Sequence, residues 1–255
     1  MNKNQVIKRL AFDAAFAAIS TVLYLFVKFP LPIFPSFLDV NFSMVPVIIC
    51  AFMLGPWDAA LCVLIRMVIK FMYGSGTMGV GELADLLIGA ITCIPAGLIY
   101  HNTKLKHKTL FAFIAVCVAW VAAGIFTNIF INIPFYKNAF HLTDEVLAGM
   151  VGEPVHLITF TLVDASSVTA SNYMVYYIFL AIIQFNLMLA LIVVGITAPL
   201  HNRLRVLYDM IGSKKNVKIE EEENKEEISS DDLVTLRGAS EDDEVKVDTT
   251  KIKTV

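Results

Sequence analysis

Three glycines in the stretch YGSGTMGVGEL, Gly74, Gly76 and Gly79, repeat the G-x-G-x-x-G spacing that cradles a pyrophosphate in dinucleotide-binding proteins. That chemistry needs a strand before the loop, a helix after it and an acidic residue about 20 positions on for the ribose. Asp85 is far too close, and no acidic residue stands at the required distance. The glycines are read instead as a compact connection whose backbone turns tightly or takes positive φ. Other reactive side chains are equally uncooperative. His101, His107, His141, His156 and His201 fall in loops or at helix ends without an i, i+4 partner, so acid–base and metal catalysis lack their residues. Cys50, Cys62, Cys93 and Cys117 lie singly in apolar runs with no C-x-x-C pair, and read as small buried hydrophobes rather than disulfides or metal ligands. No catalytic residue and no metal site is assigned.

What remains is a set of polar groups inside apolar runs: Asp13, Arg66, Lys70, Glu82, Asp85, Asn128, Asn132, Gln184 and Asn186. The runs that carry them set the class of the protein. The 255 residues are 57% hydrophobic and 17% charged, against roughly 25% charged in soluble domains. Residues 212–255 hold 8 Lys/Arg and 13 Asp/Glu, leaving 12 and 10 for residues 1–211. The chain therefore reads as two parts, a membrane domain over 1–211 and a disordered acidic tail over 212–255, too poor in large apolar groups to offset its ordering entropy.

Apolar runs long enough to span, at about 20 residues each or fewer where protein covers the ends, predict six helices. They run over about Val6–Val27, Val45–Leu54, Gly55 to Tyr73, Val80–Tyr100, Leu110–Pro134 and Met174–Leu200. The second is short and joins the third through Gly55-Pro56, where Pro suits a first helical turn. The fold expected is an all-α integral membrane protein of six transmembrane helices. Lys3, Lys8 and Arg9, then Lys104, Lys106 and Lys108, then Arg203, Arg205, Lys214 and Lys215 all fall on one side of that layout. Cytoplasmic loops are enriched in Lys and Arg, so both termini are expected in the cytoplasm of a plasma-membrane protein. A cleavable signal peptide is not expected, because the first run is itself long enough to span.

Polar groups at helix depth are costly and face a cavity, a pathway or another helix. Lys70 ends the third helix, Glu82 and Asp85 begin the fourth, Asn128 and Asn132 come late in the fifth, and Gln184 and Asn186 lie in the outer half of the sixth. Interhelical contacts of this kind are worth only about 0.6 kcal/mol each. Convergence from four helices favours a polar-lined site opening outward. The Pro- and Phe-rich segment Lys28–Ser43, too broken for a helix, is expected to lie over that site and present Phe34, Phe37 and Phe42 to a flat ligand. On the first helix, Ala11, Ala15 and Ala18 stand in small-xxx-small spacings that admit close helix approach.

The blocks FPLPIFPSFLDVNFSMVP with FMLGP, GVGELADLLIGAITCIPAGLIY, NIFINIPFY and IIQFNLML resemble the riboflavin-type S components of energy-coupling-factor (ECF) vitamin transporters, in order and spacing. The resemblance covers about Ala11 to Arg205. It implies a non-enzymatic subunit that captures a vitamin, a flavin above all, as transported ligand and not as cofactor. It further implies a transmembrane coupling protein and two cytoplasmic ATPases as partners, since this chain has no G-x-x-x-x-G-K-[ST] loop of its own. Ala11, Ala15 and Ala18 become the expected contact with the coupling protein. Phe37, Asn41, Phe42, Ser43, Arg66, Tyr73, Glu82, Asn128 and Asn186 become the expected ligand contacts. Asn41 and Met44 stand where the family has two aspartates, Gln184 replaces a Pro, and Leu189 replaces a Lys, which leaves open another vitamin-like substrate. An integral-membrane enzyme and a purely structural membrane protein are the rival classes.

Overall fold

The computed structural model describes residues 3–35, 38–104, 106–201, 203, 204 and 206. The acidic tail and Phe37 lie outside the described residues. The chain divides into Met1–Asn202, whose architecture follows, and Arg203–Val255. Among its described residues the first unit has seven helices longer than a single turn: α1 Lys3–Phe26, α2 Met44–Met53, α3 Pro56–Tyr73, α4 Val80–Asn102, α5 Lys108–Ala139, α6 Asp144–Ile158 and α7 Tyr173–His201.

Four of these, α1, α4, α5 and α7, are long and apolar enough to cross a membrane. The helix α2 has only 10 residues, about 15 Å, or half a bilayer. Met44 to Phe52 are all buried, the signature of a helix enclosed on every side. Its neighbour α3 has 18 residues but carries Asp58, Arg66 and Lys70, which lower its hydropathy. Gly55, at φ 139°, makes the sharp turn between them. That turn corrects the reading of the cysteines as solitary: Cys50 and Cys62 meet with Sγ atoms 3.7 Å apart.

Two features were not expected. Lys28–Pro30 (β1) pairs antiparallel with Asp39–Asn41 (β2), Phe29 opposite Val40, so the Pro-rich segment is a small ribbon. The 15-residue helix α6 occupies chain left unassigned, capped by Thr143, whose hydroxyl accepts from the Val146 amide at 3.4 Å. Its buried side, Leu147, Ala148, Val151 and Val155, recurs at helical spacing against Ile133, Tyr173, Tyr177 and Ile182. Asp144 ties its start to both neighbours, accepting a hydrogen bond from Tyr173 Oη at 2.8 Å and pairing with Lys137. The Lys137 ammonium holds the Asp144 carboxyl below its usual range.

The central helix is α4, which packs on α2, α3 and α5. Two glycines permit the approach: a Cβ at Gly89 would stand 2.7 Å from Val63 Cγ1, and one at Gly97 would stand 2.9–3.2 Å from Cβ, Cα and N of Pro56. At Gly97 the obstacle is backbone and cannot swing aside. Gly97→Ala is expected to destabilise the protein by about 1–3 kcal/mol as α3 and α4 are pushed apart. Thermal unfolding in detergent checks this, and an unchanged midpoint would show that the two helices separate freely.

Both α5 and α7 contain a π-helical turn, Asn128–Asn132 and Tyr177–Ile182. Pro134 lies just beyond the first and has no N–H to return to the preceding turn, so the wider turn relieves the helix there. Such turns re-aim side chains and recur at functional sites. Here each lies beside an asparagine that the sequence had singled out.

Candidate functional site

The glycine loop between α3 and α4 is organised by hydroxyls. Ser75 Oγ accepts from the Gly79 amide at 2.7 Å, and Thr77 Oγ1 accepts from the Gly81 amide at 3.0 Å. Both hydroxyls donate to Glu82 Oε2, at 2.7 and 3.2 Å. Gly74 and Gly79 supply the positive φ that the loop needs, 131° and 92°. The loop therefore fixes a buried carboxylate, with Lys70 Nζ 3.9 Å from its other oxygen.

One helical turn deeper, Arg66 is wholly buried. Its guanidinium donates to Asp85 and, at 2.7 Å, to Ser43 Oγ, and stacks 4.9 Å over the Tyr24 ring. Ser43 Oγ in turn donates to Asn41 Oδ1 at 2.6 Å, joining α3 and α4 to the end of β2.

Across from these, Asn128 Oδ1 accepts from Tyr177 Oη at 2.7 Å and from Asn132 Nδ2 at 3.2 Å, while its Nδ2 donates to the Gly124 carbonyl at 2.8 Å. Asn186 Nδ2 donates to the Ile182 carbonyl at 2.8 Å, at the end of the α7 π-turn. The side-chain amide of Asn186 occupies the space where Gly124 lacks a Cβ. Asn132 Oδ1 is buried without any hydrogen bond.

These groups surround a half-open cavity of about 260 Å³, just below the usual 300–1,000 Å³ of small-molecule sites. Its polar wall includes Asn41, Glu82, Asp85, Asn128, Asn132 and Asn186, and its flat faces are Tyr24, Tyr136 and Phe185. Lys28 and Lys70 also reach it, each within ion-pair distance of a carboxylate, Asp39 at 3.0 Å and Glu82 at 3.9 Å. The wall offers many hydrogen bonds and little net charge. It has an unsatisfied buried acceptor in Asn132, and a buried acceptor left unpaired costs about 1–3 kcal/mol.

Residues 8–201 match the family described as ECF transporter, substrate-specific component. The chain belongs to this family. It is 30% identical over 137 residues to the riboflavin transporter RibU of Staphylococcus aureus, covering 54% of this chain and 71% of that protein. To the riboflavin transporter FmnP of Bacillus subtilis it is 24% identical over 150 residues, or 57% and 78% of the two chains. The solved S component of a bacterial ECF transporter superposes with a TM-score of 0.56 at 22% identity, over 81% of this chain and 98% of that one, and so shares the fold.

In this S component the expected ligand residues that the structure describes separate into three groups. Asn41, Glu82, Asn128 and Asn186 line the cavity. Ser43 and Arg66 stand behind it, hydrogen-bonded to the wall residues Asn41 and Asp85. Phe42 and Tyr73 are off the wall: Phe42 packs on Phe29, and Tyr73, exposed at the end of α3, sets its ring edge-on to Phe26. Phe34 is buried edge-on to Phe185 and supports the cavity from behind. Gln184 is exposed on α7, on the side away from Asn186. The aromatic faces thus come from Tyr24, Tyr136 and Phe185, which periodicity alone reads as ordinary packing residues. Ala11, Ala15 and Ala18 are exposed along one side of α1.

Proposed function

We propose that this S component binds riboflavin or a closely related flavin in the cavity between α1, α3, α4, α5 and α7. The observation that carries the reading is the buried, unpaired Asn132 acceptor in a wall that includes four asparagines and the carboxylates of Glu82 and Asp85, facing flat aromatic side chains. Riboflavin supplies the complement: an N–H on a planar ring and O–H donors on the ribityl chain, without charge. The pairing of Lys28 and Lys70 with carboxylates suits an uncharged ligand. The two riboflavin transporters named above support the same choice. Leu189, where the family's Lys is replaced, is buried and is not among the residues lining the cavity.

In this reading the six apolar segments all enter the bilayer, α2 as a half-length helix buried by its neighbours. Both termini are cytoplasmic, and the site opens outward beneath the β1–β2 ribbon. Ala11, Ala15 and Ala18 meet a transmembrane coupling protein, and two cytoplasmic ATPases supply the energy. Residues 1–211 form the membrane domain and 212–255 an acidic cytoplasmic tail.

Titrating purified protein against riboflavin tests the site, because stacking on tyrosine quenches flavin fluorescence. Asn128→Ala is expected to weaken binding by about 10- to 100-fold, since it removes the acceptor of Tyr177 Oη and Asn132 Nδ2 along with its own contact, and each 1.4 kcal/mol is tenfold. No quenching by the wild-type chain would remove the flavin assignment. Identification of co-purifying small molecules would then name the substrate.

A further inference from the structure

The junction of α1, α2 and α3, away from the cavity, holds a cluster that the function above does not use. Asp13 is buried, and among the described residues its carboxylate has no ion pair. The one hydrogen bond recorded to it comes from the Cys50 thiol, at 3.9 Å from Oδ1. A thiol is a weak donor and leaves a buried carboxylate largely uncompensated. Arg9 lies nearby, but its guanidinium donates to Asp58 and to the Leu54 carbonyl. Cys50 Sγ is 3.7 Å from Cys62 Sγ, and Cys62 Sγ is 3.6 Å from the Asp13 carbonyl oxygen. The carboxylate and the two sulfurs all lie within 4.8 Å of one another.

The sulfur–sulfur separation, and that of Cys50 Sγ from the carboxylate, are close to those of a coordination sphere. With Zn–S near 2.3 Å and Zn–O near 2.0–2.2 Å, a tetrahedral ion sets two sulfurs about 3.8 Å apart and a sulfur and an oxygen about 3.6 Å apart. Two thiols and a carboxylate are the donor set of a borderline-to-soft divalent ion. We infer that Asp13, Cys50 and Cys62 form a structural site for a thiophilic divalent cation of the Zn²⁺ class, fastening α1 to the α2–α3 hairpin. Binding replaces the two thiol protons, which leave to solvent, so the ion's two positive charges offset two of the three negative charges on the carboxylate and the thiolates and leave the site with a net charge of one minus. Asp13 lies on the side of α1 opposite Ala11, Ala15 and Ala18, so the ion holds that exposed side rigid from behind.

The test uses the full chain, stripped of metal and kept reduced by a phosphine, titrated with Cd²⁺ as probe. A thiolate-to-cadmium charge-transfer band is expected to saturate at one equivalent per chain and to be displaced by Zn²⁺. Cys93→Ser/Cys117→Ser leaves Cys50 and Cys62 as the only thiols and retains the band in full. Cys50→Ser/Cys62→Ser abolishes it, and Asp13→Asn weakens Cd²⁺ affinity at least tenfold with the band still present. The site is overturned if folded Cys93→Ser/Cys117→Ser protein, judged by circular dichroism, gives no band. It is equally overturned if the band survives in Cys50→Ser/Cys62→Ser. Neither readout involves flavin, so a failure here leaves the transport reading standing.

Discussion

Arg66→Met is expected to lower the stability of the protein by about 3 kcal/mol, the lower end of the range for breaking a buried ion pair. Arg66 is 0% exposed, and its guanidinium is held on one side by Asp85 and on the other by Ser43. Removing it leaves Asp85 without a counterion and Ser43 without a donor. Solvent in the cavity softens the loss, because the Asp85 side chain keeps 26% of its surface exposed. Arg66→Lys restores the charge but not the planar fork, so it recovers only part of the stability. Arg66→Met/Asp85→Asn removes the stranded carboxylate as well and is expected to be more stable than Arg66→Met alone. Chemical unfolding in detergent distinguishes the three variants. An Arg66→Met protein as stable as wild type would mean that Asp85 finds full compensation without the guanidinium.

The same cluster shows what the sequence could and could not disclose. Glu82, Asn128 and Asn186 were legible because a polar group in an apolar helix is expensive and must have a use. Their depth followed from counting residues along the helices, and the structure gathers them round one cavity. Arg66 was legible for the same reason, yet its place behind the wall was not. Whether a side chain reaches a ligand or braces a neighbour depends on distances that no spacing rule supplies. Tyr24, Tyr136 and Phe185 were illegible as site residues, since an aromatic in an apolar helix costs nothing and carries no signal of purpose. The ribbon hid behind prolines: Pro30 occupies a two-stranded edge, where its missing N–H does no harm. Cys50 and Cys62 looked solitary at twelve positions apart, and only the Gly55 turn folds α2 back beside α3. The span count shows the reverse problem. Hydropathy finds α2 readily, but a helix too short to cross by itself reads as membrane-embedded only once its neighbours enclose it.

Gly124→Ala offers the cleanest separation of ligand binding from folding. A Cβ there would stand 2.6 Å from both Cγ and Nδ2 of Asn186 and 2.8 Å from its Oδ1. Such separations do not survive, so one side must move. Gly124 lies within α5, one turn before the π-turn, and its carbonyl also accepts from Asn128. The Asn186 amide is the softer partner, free to rotate off the Ile182 carbonyl at the cost of one hydrogen bond, about 0.5–1.5 kcal/mol. Alanine also favours the helix over glycine by about 1 kcal/mol, which offsets most of that cost. Stability is therefore expected to change little, while the displaced amide leaves its place on the cavity wall. Flavin affinity is expected to fall by about 100-fold, as both the Asn186 contact and the space it enters are lost, at roughly 1.4 kcal/mol per tenfold. A double-mutant cycle decides whether Asn186 carries the effect. In an Asn186→Ala background the added Cβ meets no amide, and Gly124→Ala should cost almost nothing further. If the two losses simply add, the glycine acts through α5 itself and not through the asparagine it accommodates.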